Sequence, residues 1–248
     1  LLTALNKCSL LHNSNQASKH INHYKKIKMI HKKNAVLLSL TIVLVALGLS
    51  SFKGHRQAGF VKIFDGKTLT GWDADTAFWR VENGEVIGEV VPGHVPKANT
   101  FLIWKGGQPA DFEFKAEYKI SPEGNSGVQY RSQELADIRY ALKGYQADID
   151  GADVYTGQNY EERGRGFLAM RGQKALLKAG EKPIITGSVG NSDSLKAFIK
   201  KGGWNEIRIV AKGNKMMHYI NGHLMSVTVD EDATASKSSG VLGMQVHV

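Results

Sequence analysis

The chain has 248 residues, with 32 Lys+Arg against 23 Asp+Glu for a formal charge of +9, a single cysteine, and 42% apolar side chains. Nine of the basic residues and none of the acidic ones lie within residues 1–58, so the rest carries 23 of each sign and is formally neutral; this argues against a nucleic-acid partner, which the whole-chain charge would otherwise imply. Cys8 stands in the leading part, so residues 59–248 contain no thiol and exclude disulfide, cysteine-nucleophile and cysteine-metal chemistry.

Residues 1–28 read as upstream or leader sequence whose His, Asn, Lys and Ser content offers nothing to pack. Lys32 and Lys33 then precede an apolar run, residues 35–49, ending in the small residues Gly48, Ser50 and Ser51. A basic segment followed by an apolar one is the layout of a secretory signal. Residues 29–58 are therefore expected to be a signal peptide or, if uncleaved, an N-terminal anchor, since the run is only slightly shorter than the ~20 residues that span a bilayer. The expected location is exported, periplasmic or extracellular in a bacterium, with membrane attachment only if that segment is retained. Residues 59–248 are long enough for one domain with a substantial core.

From Gly59 onward the pattern is β. Residues 60–64 form a short strand closed by Asp65-Gly66-Lys67. Residues 79–82 and 85–91 flank Asn83-Gly84, a pair suited to a tight hairpin turn with positive φ. Residues 100–104 are a further strand. Residues 111–120 alternate most clearly, with Phe112, Phe114, Ala116, Tyr118 and Ile120 on one face and Glu113, Lys115, Glu117 and Lys119 on the other. After a polar central stretch, residues 166–170 and 174–178 read as a hairpin-like pair. Residues 192–200 are predicted as the one helix, capped by Ser192 or Asp193. Residues 204–229 make a meander turning at Asn221-Gly222, and residues 240–248 are a last strand, with one more strand expected beyond it. Many short strands with glycine and asparagine turns predict an all-β fold, a two-sheet antiparallel jelly-roll sandwich with one short helix.

The central stretch is unusual because its strands lack a bland face. Period-two alternation puts Gln129 with Arg131 on one strand and Gln146 with Asp148 and Asp150 on the next. The last strand repeats the pattern with Gln245 and His247. A charged loop follows, Glu161-Glu162-Arg163-Gly164-Arg165. Such a surface is either a ligand floor or a solvated face with cross-strand ion pairs; its recurrence on three strands favours the ligand. Trp104 and Tyr160 are candidate stacking platforms for a sugar ring, whereas Tyr130 and Tyr145 point the other way and belong inside. A calcium ion on Asp148, Asp150 or Asp153 is a lesser alternative, and no metal ligand is assigned. His94, His218 and His223 lack metal-binding spacing.

Phe64-Asp65-Gly66-Lys67-Thr68-Leu69-Thr70-Gly71-Trp72, Trp79-Arg80-Val81-Glu82-Asn83-Gly84, Asp111-Phe112-Glu113-Phe114, Asn125-Ser126-Gly127-Val128-Gln129-Tyr130-Arg131, Gly203-Trp204-Asn205-Glu206 and Asn221-Gly222 occur in that order. In these motifs the chain resembles the 3-keto-disaccharide hydrolase domain family, across essentially all of residues 59–248. The resemblance implies a concanavalin A-like sandwich, export, and action on a glycoside or oligosaccharide already oxidised at the sugar C3. A C3 ketone acidifies the C2 hydrogen, so a base can remove it, the glycosidic bond can leave by elimination, and water can add back. The roles then expected are Asp148 or His247 as base, Arg131 and Gln146 at the enolate oxygen, and Glu162 as acid. Gln129, Asp150, Glu161, Arg163, Arg165 and Gln245 join Trp104 and Tyr160 as substrate contacts. Direct hydrolysis would instead pair Asp148 with Glu161 or Glu162, and the sequence leaves that choice open. Neither route requires a cofactor. The alternative to an enzyme is a non-catalytic glycan-binding sandwich; oligomeric state stays open.

Overall fold

The alternation at residues 111–120 becomes the strand β7 (Phe112–Ile120), whose apolar side chains are buried while the intervening Glu and Lys face outward. A computed structural model describes residues 2–12 and 59–247. Around β7 it builds a sheet that contains β1 (Leu2–His12), β2 (Val61–Lys62), β4 (Trp79–Glu82), β5 (Glu85–Glu89), β12 (Gln173–Leu177), β13 (Ile184–Ser188), β14 (Asn205–Lys212), β15 (Lys215–Ile220) and β16 (His223–Asp230). The order is β13-β12-β16-β15-β14-β7-β1-β5-β4, with β2 alongside β1. The second sheet runs β11-β10-β9-β8-β17-β6-β3 and consists of β3 (Trp72–Asp73), β6 (Thr100–Trp104), β8 (Asn125–Glu134), β9 (Leu142–Asp150), β10 (Asn159–Glu162), β11 (Gly166–Ala169) and β17 (Val241–Val246). The fold is thus an all-β jelly-roll sandwich. Phe114, Tyr118, Ile207 and Ile209 of one sheet meet Tyr130, Tyr145, Ile149 and Met244 of the other in a single core.

The turn chemistry behaves as the sequence predicts: Asn83-Gly84 and Asn221-Gly222 adopt positive φ at both positions and close the β4–β5 and β15–β16 hairpins. Elsewhere the structure departs from expectation. β11 and β12 are not a hairpin. β11 pairs with β10 in one sheet, while β12 pairs with β13 and, in parallel, with β16 in the other, so the chain crosses between sheets at Arg171-Gly172. The helix α1 (Ser192–Lys196) is shorter than residues 192–200, and its cap is Asn191, whose side chain accepts from Asp193 N and Ser194 N. Part of the leading sequence does pack: β1 pairs antiparallel with both β5 and β7, and Cys8 and Leu10 enter the core. The signal or anchor read in residues 29–58 lies outside the described residues.

Candidate functional site

The polar strands of the second sheet form one surface because of their register. Gly127 pairs with Asp148 and Gln129 with Gln146 across β8 and β9, and Gln146 pairs with Tyr160 on β10. Gly127 leaves the space that Gln146 occupies: a Cβ there would lie 2.6 Å from Gln146 Cδ. Folded over that glycine, Gln146 Nε2 donates to Asp148 Oδ1 at 2.8 Å, and Gln158 Nε2 donates to Asp148 Oδ2 at 2.7 Å. Gln129 Nε2 donates to Gln146 Oε1 at 3.2 Å, and Gln146 Nε2 also reaches Gln245 Oε1 at 3.3 Å. Gln129 and Gln245 are buried, so they brace this amide network from beneath.

A cavity of about 230 Å³ opens over the network. Its polar lining is Asn125, Gln146, Asp148, Gln158 and His247, and its aromatic lining is Tyr155, Tyr160 and Phe167. Asp148 is the one carboxylate among them. Its pKa is pushed up to about 7, chiefly by burial; the two amide donors oppose the rise, and the charges of Asp150 and Glu162 add to it. A carboxyl group held near neutrality at the base of a cavity can take a proton and return it, which suits general acid–base work. The Tyr160 pKa is also raised, by burial and then by the charges of Glu162 and Asp148. Gln158 Oε1 is buried with no partner among the described residues.

Glu162 pairs with Gly144 in regular register, next to a bend in β8 and β9. The β8–β9 register slips after Tyr130, Arg131 takes φ 48°, and Gly144 takes φ 152° where a Cβ would strike Ser132. Beyond the bend the hairpin folds back over β6: Phe101 N donates to Tyr140 O at 2.9 Å, and Leu142 packs with Phe101, Ile103 and Val241 in a second small core. Asn99, just before β6, then donates through Nδ2 to Glu162 Oε1 at 3.3 Å, with Arg163 Nε 3.9 Å from the same oxygen. Glu162 does not line the cavity; its carboxylate is held by Asn99 and Arg163, near enough for its charge to raise the Asp148 pKa.

The same bend removes Arg131, which the alternation had placed beside Gln129. Its guanidinium turns to the opposite side and donates to Ala110 O at 2.7 Å and Gly213 O at 2.8 Å, with Met216 Sδ nearby. Arg131 thus ties loops together and does not reach the cavity. Asp150 is occupied too: its Oδ2 accepts from Val154 N, and its Oδ1 from Tyr155 N and Thr156 N, so it shapes the loop after β9. For a calcium ion on Asp148, Asp150 or Asp153, no group of three or more His, Cys, Asp or Glu side chains that could hold a metal exists among the described residues. Glu161 faces away from Glu162, as neighbours on a strand must. Arg165 bridges Glu161 at 2.6 Å and Asp230 at 2.6 Å, within an ion cluster that joins the two sheets. Trp104 is partly buried against the main core and is not a cavity wall. Gln146, Asp148, Tyr160 and His247 do line the cavity, whereas Gln158 and Phe167 were missed because neither lies on a recognisable polar strand.

A family model described as the 3-keto-alpha-glucoside-1,2-lyase-like domain matches residues 59–248. A 3-keto-disaccharide hydrolase of Bacteroides thetaiotaomicron is 32% identical over 133 residues, 49% of this chain and 41% of that protein, so the match spans less than half of the relative's length. Two solved structures from Parabacteroides distasonis ATCC 8503, both classed as glycosyl hydrolases, share the fold. The first has a TM-score of 0.51 at 20% identity, covering 77% of this chain and 88% of that one. The second has a TM-score of 0.50 at 17% identity, covering 75% and 91%.

Proposed function

We propose that this chain, which belongs to the 3-keto-alpha-glucoside-1,2-lyase-like domain family, is an exported carbohydrate-active enzyme that cleaves glycosides oxidised at C3, with Asp148 as the base. The observation that carries the reading is the carboxyl group of Asp148, buried, near neutral in pKa and lining a ring-sized cavity with aromatic walls. In the first step Asp148 takes the C2 proton, and its electron pair forms the enolate with the C3 oxygen. As the enolate collapses, C3=O re-forms, a C1–C2 double bond forms, and the C1–O glycosidic bond breaks. The departing alkoxide takes a proton from Glu162. Water then adds across C1–C2 to give the 3-keto sugar. With Arg131 turned away, the groups on hand for the ketone oxygen are Asn125, Gln158, the Tyr160 hydroxyl and His247.

The lyase-like description of the family supports elimination over two-carboxylate displacement. The two routes leave different isotopic records. In D₂O, elimination followed by hydration puts deuterium at C2 of the product, whereas direct hydrolysis leaves the C2 hydrogen in place. Incubation of the purified protein with paired plain and 3-keto glycosides is expected to yield C2-deuterated product from the 3-keto member alone. Unlabelled product would overturn elimination. Binding without any product would favour a glycan-binding module.

A further inference from the structure

We propose that Tyr155 and Phe167 form a stacking shelf for the ring on the leaving-group side of the bond, so that the protein selects glycosides by the flatness of that group; this rests on the glycoside reading above. Both side chains line the cavity that holds Asp148, yet Phe167 is 50% exposed and Tyr155 38% exposed, which puts them at its mouth. Their rings stack with centroids 6.1 Å apart and 21° between planes, and Tyr160 props Phe167 edge-on at 5.2 Å and 65°. The shelf is fixed from below as well: Tyr155 N donates to Asp150 Oδ1 at 2.9 Å, which gives Asp150 a positioning role in place of substrate contact.

Size decides what the shelf receives. At about 230 Å³ the cavity is smaller than the roughly 300–1,000 Å³ that encloses a drug-sized ligand. It takes one ring, the oxidised sugar, and the group across the scissile bond must lie outside. Two aromatic rings stacked on one another and half open to water offer that group an apolar face. A ring with a flat or apolar side gains from it, whether an aryl group or a second sugar, and a methyl group does not.

The test compares kcat/KM for two 3-keto-glycosides that differ only in an aryl or a methyl aglycone. Wild type, Phe167→Ala and Phe167→Trp are assayed, and the aryl-to-methyl ratio is compared between proteins so that leaving-group reactivity cancels. The ratio is expected to fall about tenfold in Phe167→Ala and to recover in Phe167→Trp. Titration of unoxidised phenyl and methyl glucosides into the same proteins separates the shelf from the reaction. If nothing is turned over but phenyl glucoside binds more tightly in a Phe167-dependent manner, the shelf stands and the reaction assignment falls. No Phe167-dependent preference in either assay overturns the shelf.

Discussion

At Asp148, burial and hydrogen bonding act against each other. Two amide N–H groups favour the carboxylate, but desolvation outweighs them and leaves the pKa at about 7. The balance depends on Gly127, because any side chain there would displace the Gln146 amide. Gly127→Ala is therefore expected to remove one donor from the anion. Without it the Asp148 pKa rises further, the alkaline-rising limb of kcat/KM moves to higher pH, and the rate at pH 7 drops about tenfold, the scale of one hydrogen bond to a charged group. An unshifted profile in a folded Gly127→Ala protein would mean that Gln146 does not tune Asp148.

At the scale of elements, the bend in β8 and β9 decides which residues meet. Period-two alternation made Gln146, Asp148 and the amphipathic β7 legible, because a regular strand transmits its parity. It misplaced Arg131, because a one-residue slip after Tyr130 reverses the face and no letter in the sequence announces it. Glu161 and Glu162 show the same limit: adjacent residues take opposite faces, and only the pairing with Gly144 puts Glu162 on the face of Tyr160. Asn99 and Glu162 are 63 positions apart, and they meet through the folded-back hairpin, which is a long-range outcome of packing. If Arg131 is a clamp, Arg131→Met leaves the Ala110 and Gly213 carbonyls without their donor and opens a gap where the buried guanidinium sat. A loss of about 2–4 kcal/mol is expected in denaturant unfolding. Activity of the folded protein well below its melting temperature should stay within a few-fold. Collapse of activity at unchanged stability would instead return Arg131 to the reaction centre.

Over the whole molecule, the two sheets are joined by polar contacts as well as by the core. Tyr130 and His218 share a 2.8 Å hydrogen bond, His218 Nδ1 meets Gln158 O at 3.1 Å, and Tyr145 donates to Asp230, which Arg165 also holds. This ties the back of the site to the opposite sheet, since Gln158 carries one of the Asp148 donors. Burial lowers the His218 pKa from 6.5 to about 4. The unfolded chain therefore takes up a proton first as pH falls, so this contribution to stability is complete above about pH 6.5 and is lost between there and pH 4, on the order of 3 kcal/mol. His218→Gln should show a smaller fall in melting temperature than wild type between pH 7 and pH 5. Equal falls in the two proteins would mean that His218 is not held neutral between the sheets.

If Asp148 removes the proton from C2 of a 3-keto-glycoside, the pH dependence of kcat/KM must carry its ionisation. As a base, Asp148 acts when ionised, so the low-pH limb of the rate should climb through an apparent pKa near 7. Asp148→Asn should lose at least a hundredfold in kcat/KM together with that limb. Retained turnover in Asp148→Asn, or a wild-type limb centred near the ordinary carboxylate value of about 4, would exclude Asp148 as the base.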